Sequence, residues 1–277
     1  MKILFDQVSK AISKLITRTY STSFSHGIYF LDARFHDAIY GIYGFVRLAD
    51  EIVDSFHGFD KQYLLSRFRE ETQLALQHKI SINPVLHSFQ LAVHTYQIEW
   101  ELIDTFLQSM EMDLHKSAHN NESYKKYIVG SAEVVGLMCL RVFTEGDINF
   151  YEQLKPSAMK LGAAFQKVNF LRDLKADYTE LGRTYFPNVD FTCFSEEDKR
   201  NIQNDIEADF NEALIGIKRL PSTSRKGVYL AYYYYKKLFA KIKDVPPEKV
   251  MSTRIRIADT DKLRLICTSM IKIKLNQ

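Results

Sequence analysis

Apolar residues along this chain recur mostly at three and four positions, the period of a helix and not the alternation of a strand. Phe5, Val8, Ile12, Leu15 and Ile16 make one apolar stripe, which predicts a first helix over 5–19. It stops before the hydroxyl-rich run Tyr20-Ser-Thr-Ser-Phe-Ser, which reads either as an N-cap and turn or as donors turned toward a ligand. A long helix is predicted over 32–55, capped by Asp32 and stopped near His57-Gly58. Helices follow over 60–78, 84–96 and 99–115, the middle one entered through Asn83-Pro84. The period continues over 122–144 and 151–181. It resumes after an irregular stretch from Thr184, at the capping-box signature Ser195-Glu-Glu-Asp, and then over 222–243, with a last helix from about Ser252.

Two of these helices carry acid where a plain amphipathic pattern would not place it. Tyr43-Gly-Phe-Val-Arg47-Leu-Ala-Asp50-Glu51-Ile-Val-Asp54 sets Asp50 and Asp54 one above the other, and Gln166-Lys-Val-Asn169-Phe-Leu-Arg172-Asp173-Leu-Lys-Ala-Asp177 does the same with Asn169, Asp173 and Asp177. Like charges at that spacing cost roughly 0.2–0.5 kcal/mol per pair unless a cation lies between them. A single such pair is more often a solvated face than a ligand set. Two, each beside an arginine (Arg47, Arg172), point instead to oxygen ligands for Mg²⁺ and guanidinium forks for phosphate, hence to a diphosphate site.

Composition narrows the class. With 11 Gly and 6 Pro in 277 residues there is little turn punctuation for a many-stranded fold, and 46% hydrophobic content fills a sizeable core. An all-α single domain over 1–277 is expected, since no repeat, linker or low-complexity segment divides it. Lys+Arg 37 against Asp+Glu 34 leaves no sequence-wide basic footprint, which argues against nucleic acid. Cys139, Cys193 and Cys267 are odd in number and far apart, which suits a reducing cytoplasm better than a disulfide framework. No signal peptide is read at the N-terminus, and no apolar run is read as reaching the roughly 18–20 residues of a bilayer span, the best stretch, 134–140, stopping at Arg141. Glu111, Asp113 and His115 read as surface residues, because no Glu-x-x-His occurs to build a di-iron bundle. Gly130, Ser131, Ala132 and Gly136 inside a helix mark either a tight crossing or the wall of a tunnel. Tyr232, Tyr233 and Tyr234 read as core.

Taken in order, Tyr20-Ser21-Thr22-Ser23-Phe24, the first acidic stretch, Tyr127-Ile-Val-Gly-Ser-Ala-Glu-Val-Val-Gly136, Ala164-Phe-Gln166 through Asp177, Gly182-Arg-Thr-Tyr185-Phe-Pro187 and Arg254-Ile-Arg-Ile resemble the phytoene and squalene synthase family of head-to-head prenyl synthases. Asp-Glu-Ile-Val-Asp is closer to the phytoene synthase form of its motif. The resemblance implies a helical bundle of the isoprenoid, class I terpenoid, synthase type around a central cavity. It implies phytoene formation from two geranylgeranyl diphosphates through a cyclopropyl diphosphate, with two or three Mg²⁺ and no NADPH. Asp50, Asp54, Asn169, Asp173 and Asp177 would hold metal. Arg47, Arg172, Tyr43, Gln166, Tyr235 and the run Tyr20 to Ser23 would bind diphosphate or the adjoining chain, while Phe24, Tyr127 and Tyr185 would line the cavity or assist rearrangement. Ala176 stands where relatives often have an acid. Glu133 stands where they have a small glycine, so its direction decides whether the tunnel is open. The rivals are a dehydrosqualene, squalene or hydroxysqualene synthase using farnesyl diphosphate, a head-to-tail prenyltransferase, which normally shows a denser Asp-Asp-x-x-Asp, and a non-catalytic helical assembly factor. A cytoplasmic enzyme touching the inner membrane face is expected from its greasy product, although no basic amphipathic helix declares that contact.

Overall fold

A computed structural model describes residues 1–115, 118–258 and 268. Its helices are α1 (Lys2–Tyr20), α2 (Thr22–Tyr29), α3 (Ala33–Asp54), α4 (Lys61–His78), α5 (Pro84–Tyr96), α6 (Trp100–His115), α7 (Asn121–Ile128), α8 (Val134–Thr144), α9 (Ile148–Thr179), α10 (Glu196–Arg219), α11 (Ser222–Lys243) and α12 (Pro247–Ser252). A π-helical turn, Val129–Glu133, joins α7 to α8. The only pairing outside helices among the described residues is a single bridge between Ala118 and Thr184. The expected all-α class is what forms.

Local chemistry fixes the helix ends. Asp32 accepts from the amide of Arg34 at the start of α3, and Asn83 accepts from Val85 and Leu86 ahead of Pro84. Ser195 and Asp198 complete a reciprocal capping box at α10. The hydroxyl-rich run is shorter as a loop than expected: Ser21 accepts from the amide of Phe24 and caps an unpredicted helix, α2. The last predicted helix is also corrected. Helix α12 ends at Ser252, Thr253 to Ala258 are not helical, and the remainder of that predicted helix, with Cys267, lies outside the described residues apart from position 268.

The core forms in two parts. Phe35, Phe45, Phe89 and Phe106 centre one half, where Phe45 stacks on Phe89 at 4.0 Å; Phe210, Phe239 and Leu171 centre the other. Tyr232 and Tyr233 are buried in that second half and Tyr234 is partly so. Helix α9 packs along α10, and the buried Lys167 ammonium meets Asp209 at 2.6 Å between them, with Lys160 at 2.8 Å on the other oxygen. Asn121–Thr144 is, contrary to the sequence reading, apolar and long enough to cross a membrane: its mean hydropathy reaches 1.5. Packing against α6 and α9 explains it, with 61% of that window buried in the bundle. Both readings of its small residues hold. A Cβ on Gly130 would meet Ser109 of α6 at 2.6 Å, while Ser131, Ala132 and Gly136 line an internal cavity.

Candidate active site

Helices α3 and α9 set the two acidic ladders at one end of a cavity of about 540 Å³ whose other walls come from α2, α6, α8, α10 and α11. The cavity follows α3 from Asp54 back to Ile39, a rise of about 22 Å at 1.5 Å per residue. Below the ladders its lining is largely apolar and includes Leu31, Phe143, Leu154 and Leu220. Glu133 does not line it. That carboxyl lies in the field of Lys160 and Lys167 instead, so the tunnel stays clear.

Asp50, Asp54, Asn169, Asp173 and Asp177 all reach the cavity mouth. Burial, then repulsion from Asp54, pushes the Asp50 carboxyl up to about 7. Burial, then Asp173 and Asp54, does the same to Asp177. The ladders therefore feel each other's charge across the mouth, which is the geometry the helical spacing alone left open. Asp54 is bonded by Arg183 at 2.7 Å; Asp173 is gripped by Arg172 and by Arg254 at 2.7 Å. Arg47 pairs with Glu51 and lies 4.3 Å over the Tyr20 ring. No three His, Cys, Asp or Glu side chains among the described residues converge as a ready ligand set. The donors are all hard oxygens spread over two helices, which suits Mg²⁺ only when diphosphate oxygens complete the coordination.

Three residues of this mouth escaped the sequence reading. Asp113, read as surface, is buried: Tyr127 donates to it at 2.6 Å and Tyr185 at 3.3 Å, and burial pushes its carboxyl up to about 7. Its signal was available, since Asp113 continues the buried stripe of Ile103, Phe106 and Met110 on α6. Arg183 is also buried, and besides Asp54 it donates to the carbonyls of Asp113 at 3.1 Å and Val53 at 3.4 Å. Arg254 lies on the non-helical segment after α12. Both arginines sit inside motifs quoted for the resemblance, but only contacts show their partners.

Of the other expected residues, Tyr20, Ser21, Phe24, Tyr43, Tyr127, Gln166, Arg172, Tyr185 and Tyr235 line the cavity. Thr22 and Ser23 do not, because α2 coils that run and turns only Ser21 and Phe24 inward. Aromatic rings flank the mouth in two groups. Phe24 lies within 6.1 Å of Tyr43, Phe165 and Tyr235, and Phe165 stacks on Tyr235 at 4.0 Å. Phe170 stacks on Tyr185 at 4.0 Å beside Tyr127. Tyr235 donates to Asn169 at 3.2 Å. Burial raises the Tyr43 hydroxyl to about 12 and raises those of Tyr127 and Tyr185 too, so all three stay protonated.

An all-helical bundle around one long apolar cavity with a charged, arginine-studded mouth defines the isoprenoid synthase class. Residues 17–261 match the squalene/phytoene synthase family, and the chain belongs to that family. It is 27% identical over 201 residues to a 4,4'-diapophytoene synthase of Staphylococcus haemolyticus, covering 70% of this chain and 66% of that one. It is 25% identical over 249 residues to a chloroplastic phytoene synthase of an Oncidium hybrid, covering 82% and 59%. The chain thus spans about three fifths of the length of the curated relatives it matches. A dehydrosqualene synthase crystal structure superposes with a TM-score of 0.84 at 19% identity, covering 97% of this chain and 98% of that one.

Proposed function

We propose that the protein is a phytoene synthase that joins two geranylgeranyl diphosphates head to head. The observation that carries this reading is the pair of acidic ladders confronting each other at the mouth of a deep apolar cavity, with Arg47, Arg172 and Arg254 lining it and Arg183 bound to Asp54. Mg²⁺ bound between the ladders and diphosphate would neutralise charge on the leaving group. Arg47, Arg172 and Arg254 supply further cationic donors there, so the first allylic C–O bond can break without a protein nucleophile. The double bond of the second substrate attacks the resulting allylic cation, and loss of a proton closes the cyclopropane, releasing one diphosphate. The cyclopropyl diphosphate ionises in turn, rearranges and loses a second proton to form the central double bond. The balance is two substrates to one hydrocarbon and two diphosphates, with no reductant. The Phe24, Phe165 and Tyr235 rings and the Tyr127, Phe170 and Tyr185 rings offer faces to each cation, each worth roughly 0.5–2 kcal/mol. The apolar walls keep out water that would trap it.

A second reading, farnesyl diphosphate as substrate, is favoured by the 27% identity to a diapophytoene synthase. Incubating the purified protein with Mg²⁺ and either prenyl diphosphate, with and without NADPH, and identifying the extracted hydrocarbons separates them. Phytoene from geranylgeranyl diphosphate without reductant is expected. A C30 product from farnesyl diphosphate alone would establish the second reading, and no turnover of either would overturn both in favour of an assembly factor.

A further inference from the structure

Helix α1 buries a row of hydroxyls beside the half-buried Phe5, Ile12 and Ile16 and leaves a second apolar row outside. The face turned to α3 and α5 is Ser9, Ser13 and Thr17, each 0% exposed, whereas Leu4, Val8 and Leu15 on the outer face are 63%, 46% and 64% exposed. Leu4, Val8, Ala11 and Leu15 are spaced four, three and four apart and so form one stripe; a helix serving only a soluble core would bury it. Lys10, Lys14 and Arg18, each four apart, run as a row along one flank of that stripe. The helix holds four cations, these and Lys2, against the single anion Asp6.

The N-terminal end of the stripe meets a second apolar feature. His87, fully buried, lies 2.6 Å from Asp6 through Nε2 and accepts the Ser81 amide through Nδ1 at 3.3 Å. This chain of contacts ties α1 to the loop carrying exposed Ile80 and Ile82, the latter 98% exposed. The C-terminal end of α1 is Tyr20, which lines the cavity mouth under Arg47.

We propose that α1, with the Ile80–Ile82 loop beside it, docks the protein on an anionic lipid bilayer, the helix lying in the headgroup plane. Contrary to the sequence reading, which found no basic amphipathic helix, α1 exposes an apolar stripe flanked by a basic row, the chemistry such a surface takes: the stripe enters the acyl boundary and the row meets the anionic headgroups. A symmetric pairing of two copies through this face would set the positive row against itself, with only Asp6 and Asp37, already paired to Lys2 and Lys10, as anions beside it. The functional sense of the docking rests on the proposed reading of the cavity, since it brings the mouth that ends at Tyr20 to the phase in which a C40 hydrocarbon dissolves.

The full chain is sedimented with vesicles of phosphatidylcholine alone and of phosphatidylcholine mixed with phosphatidylglycerol, while turnover is measured separately in detergent. Binding to the mixed vesicles is expected, weakened by salt. Paired Val8→Glu and Leu15→Glu substitutions, and separately paired Lys14→Glu and Arg18→Glu, are each expected to lower it about tenfold or more with circular dichroism and detergent turnover unchanged. Equal sedimentation with and without anionic vesicles overturns the proposal, as does binding that both pairs leave intact. A dimer in light scattering that Leu15→Glu dissociates, without vesicle binding, overturns it in favour of self-association. Vesicle binding without turnover would sink the proposed activity while leaving the docking standing; turnover without vesicle binding does the reverse.

Discussion

Asp113 is a carboxyl that does its work through others: it orients two tyrosine hydroxyls and, through its backbone, one guanidinium group of Arg183. Replacing it with leucine takes the acceptor from the buried Tyr127 and Tyr185 hydroxyls and leaves them only each other, at about 1–3 kcal/mol, so a fall in Tm should accompany any loss of turnover. Asp50→Asn and Asp173→Asn differ in kind, because their side chains sit in the mouth and not in the packing. Each should lower turnover by roughly 10²–10³ or more while leaving the helical circular dichroism signal intact. Near-normal activity in either would remove the ladders from the site. Acid strength supplies another prediction. Asp50, Asp113 and Asp177 titrate near 7 in the fold against an ordinary value of 3.8, so folding favours their protonated forms. Their contribution is fully present below about 4 and is lost as pH rises through about 7. In EDTA, thermal stability should therefore be lower at pH 8 than at pH 5.5, and Asp113→Asn should flatten that slope.

At the scale of elements, the fold is held by close helix crossings at small residues. A Cβ on Gly162 would lie 2.5 Å from the carbonyl oxygen of Ala132 and 3.2 Å from the Glu133 Cα, backbone atoms of the π-helical turn that cannot step aside. Gly162→Ala should cost about 1–3 kcal/mol by overpacking, read as a drop of several degrees in Tm. The helices themselves were legible, because a period of three and four with Asp32, Asn83 and Ser195 as caps reports local chemistry that no distant contact overrides. The π-helical turn, α2 and the end of α12 were not. Each depends on where the chain is pressed by a neighbour, as with Gly130 against Ser109.

For the whole molecule, the cavity joins a charged mouth to an apolar floor, and ligand binding should follow that division. Mg²⁺ with inorganic pyrophosphate, at about a hundred times its dissociation constant, should raise Tm by about 5 °C, and Asp173→Asn should abolish the rise. Val135 lines the apolar part from α8, so Val135→Phe should obstruct it and shift preference from geranylgeranyl toward farnesyl diphosphate in paired competition assays. Unchanged preference would show that the chain runs elsewhere.

Residue spacing alone determined the helical class, the two acidic ladders and the arginines beside them, since on a helix the period fixes which side chains share a face. Spacing cannot say which faces meet. Only the tertiary structure brought Asp54 under Arg183, Asp173 under Arg254 and Asp113 to Tyr127 and Tyr185, residues separated by up to 129 positions. It also left Leu4, Val8 and Leu15 of α1 outward while Ser13 took the inner position against Gly44. Apolar residues report that they pack against something, and the partner is a property of the assembled bundle.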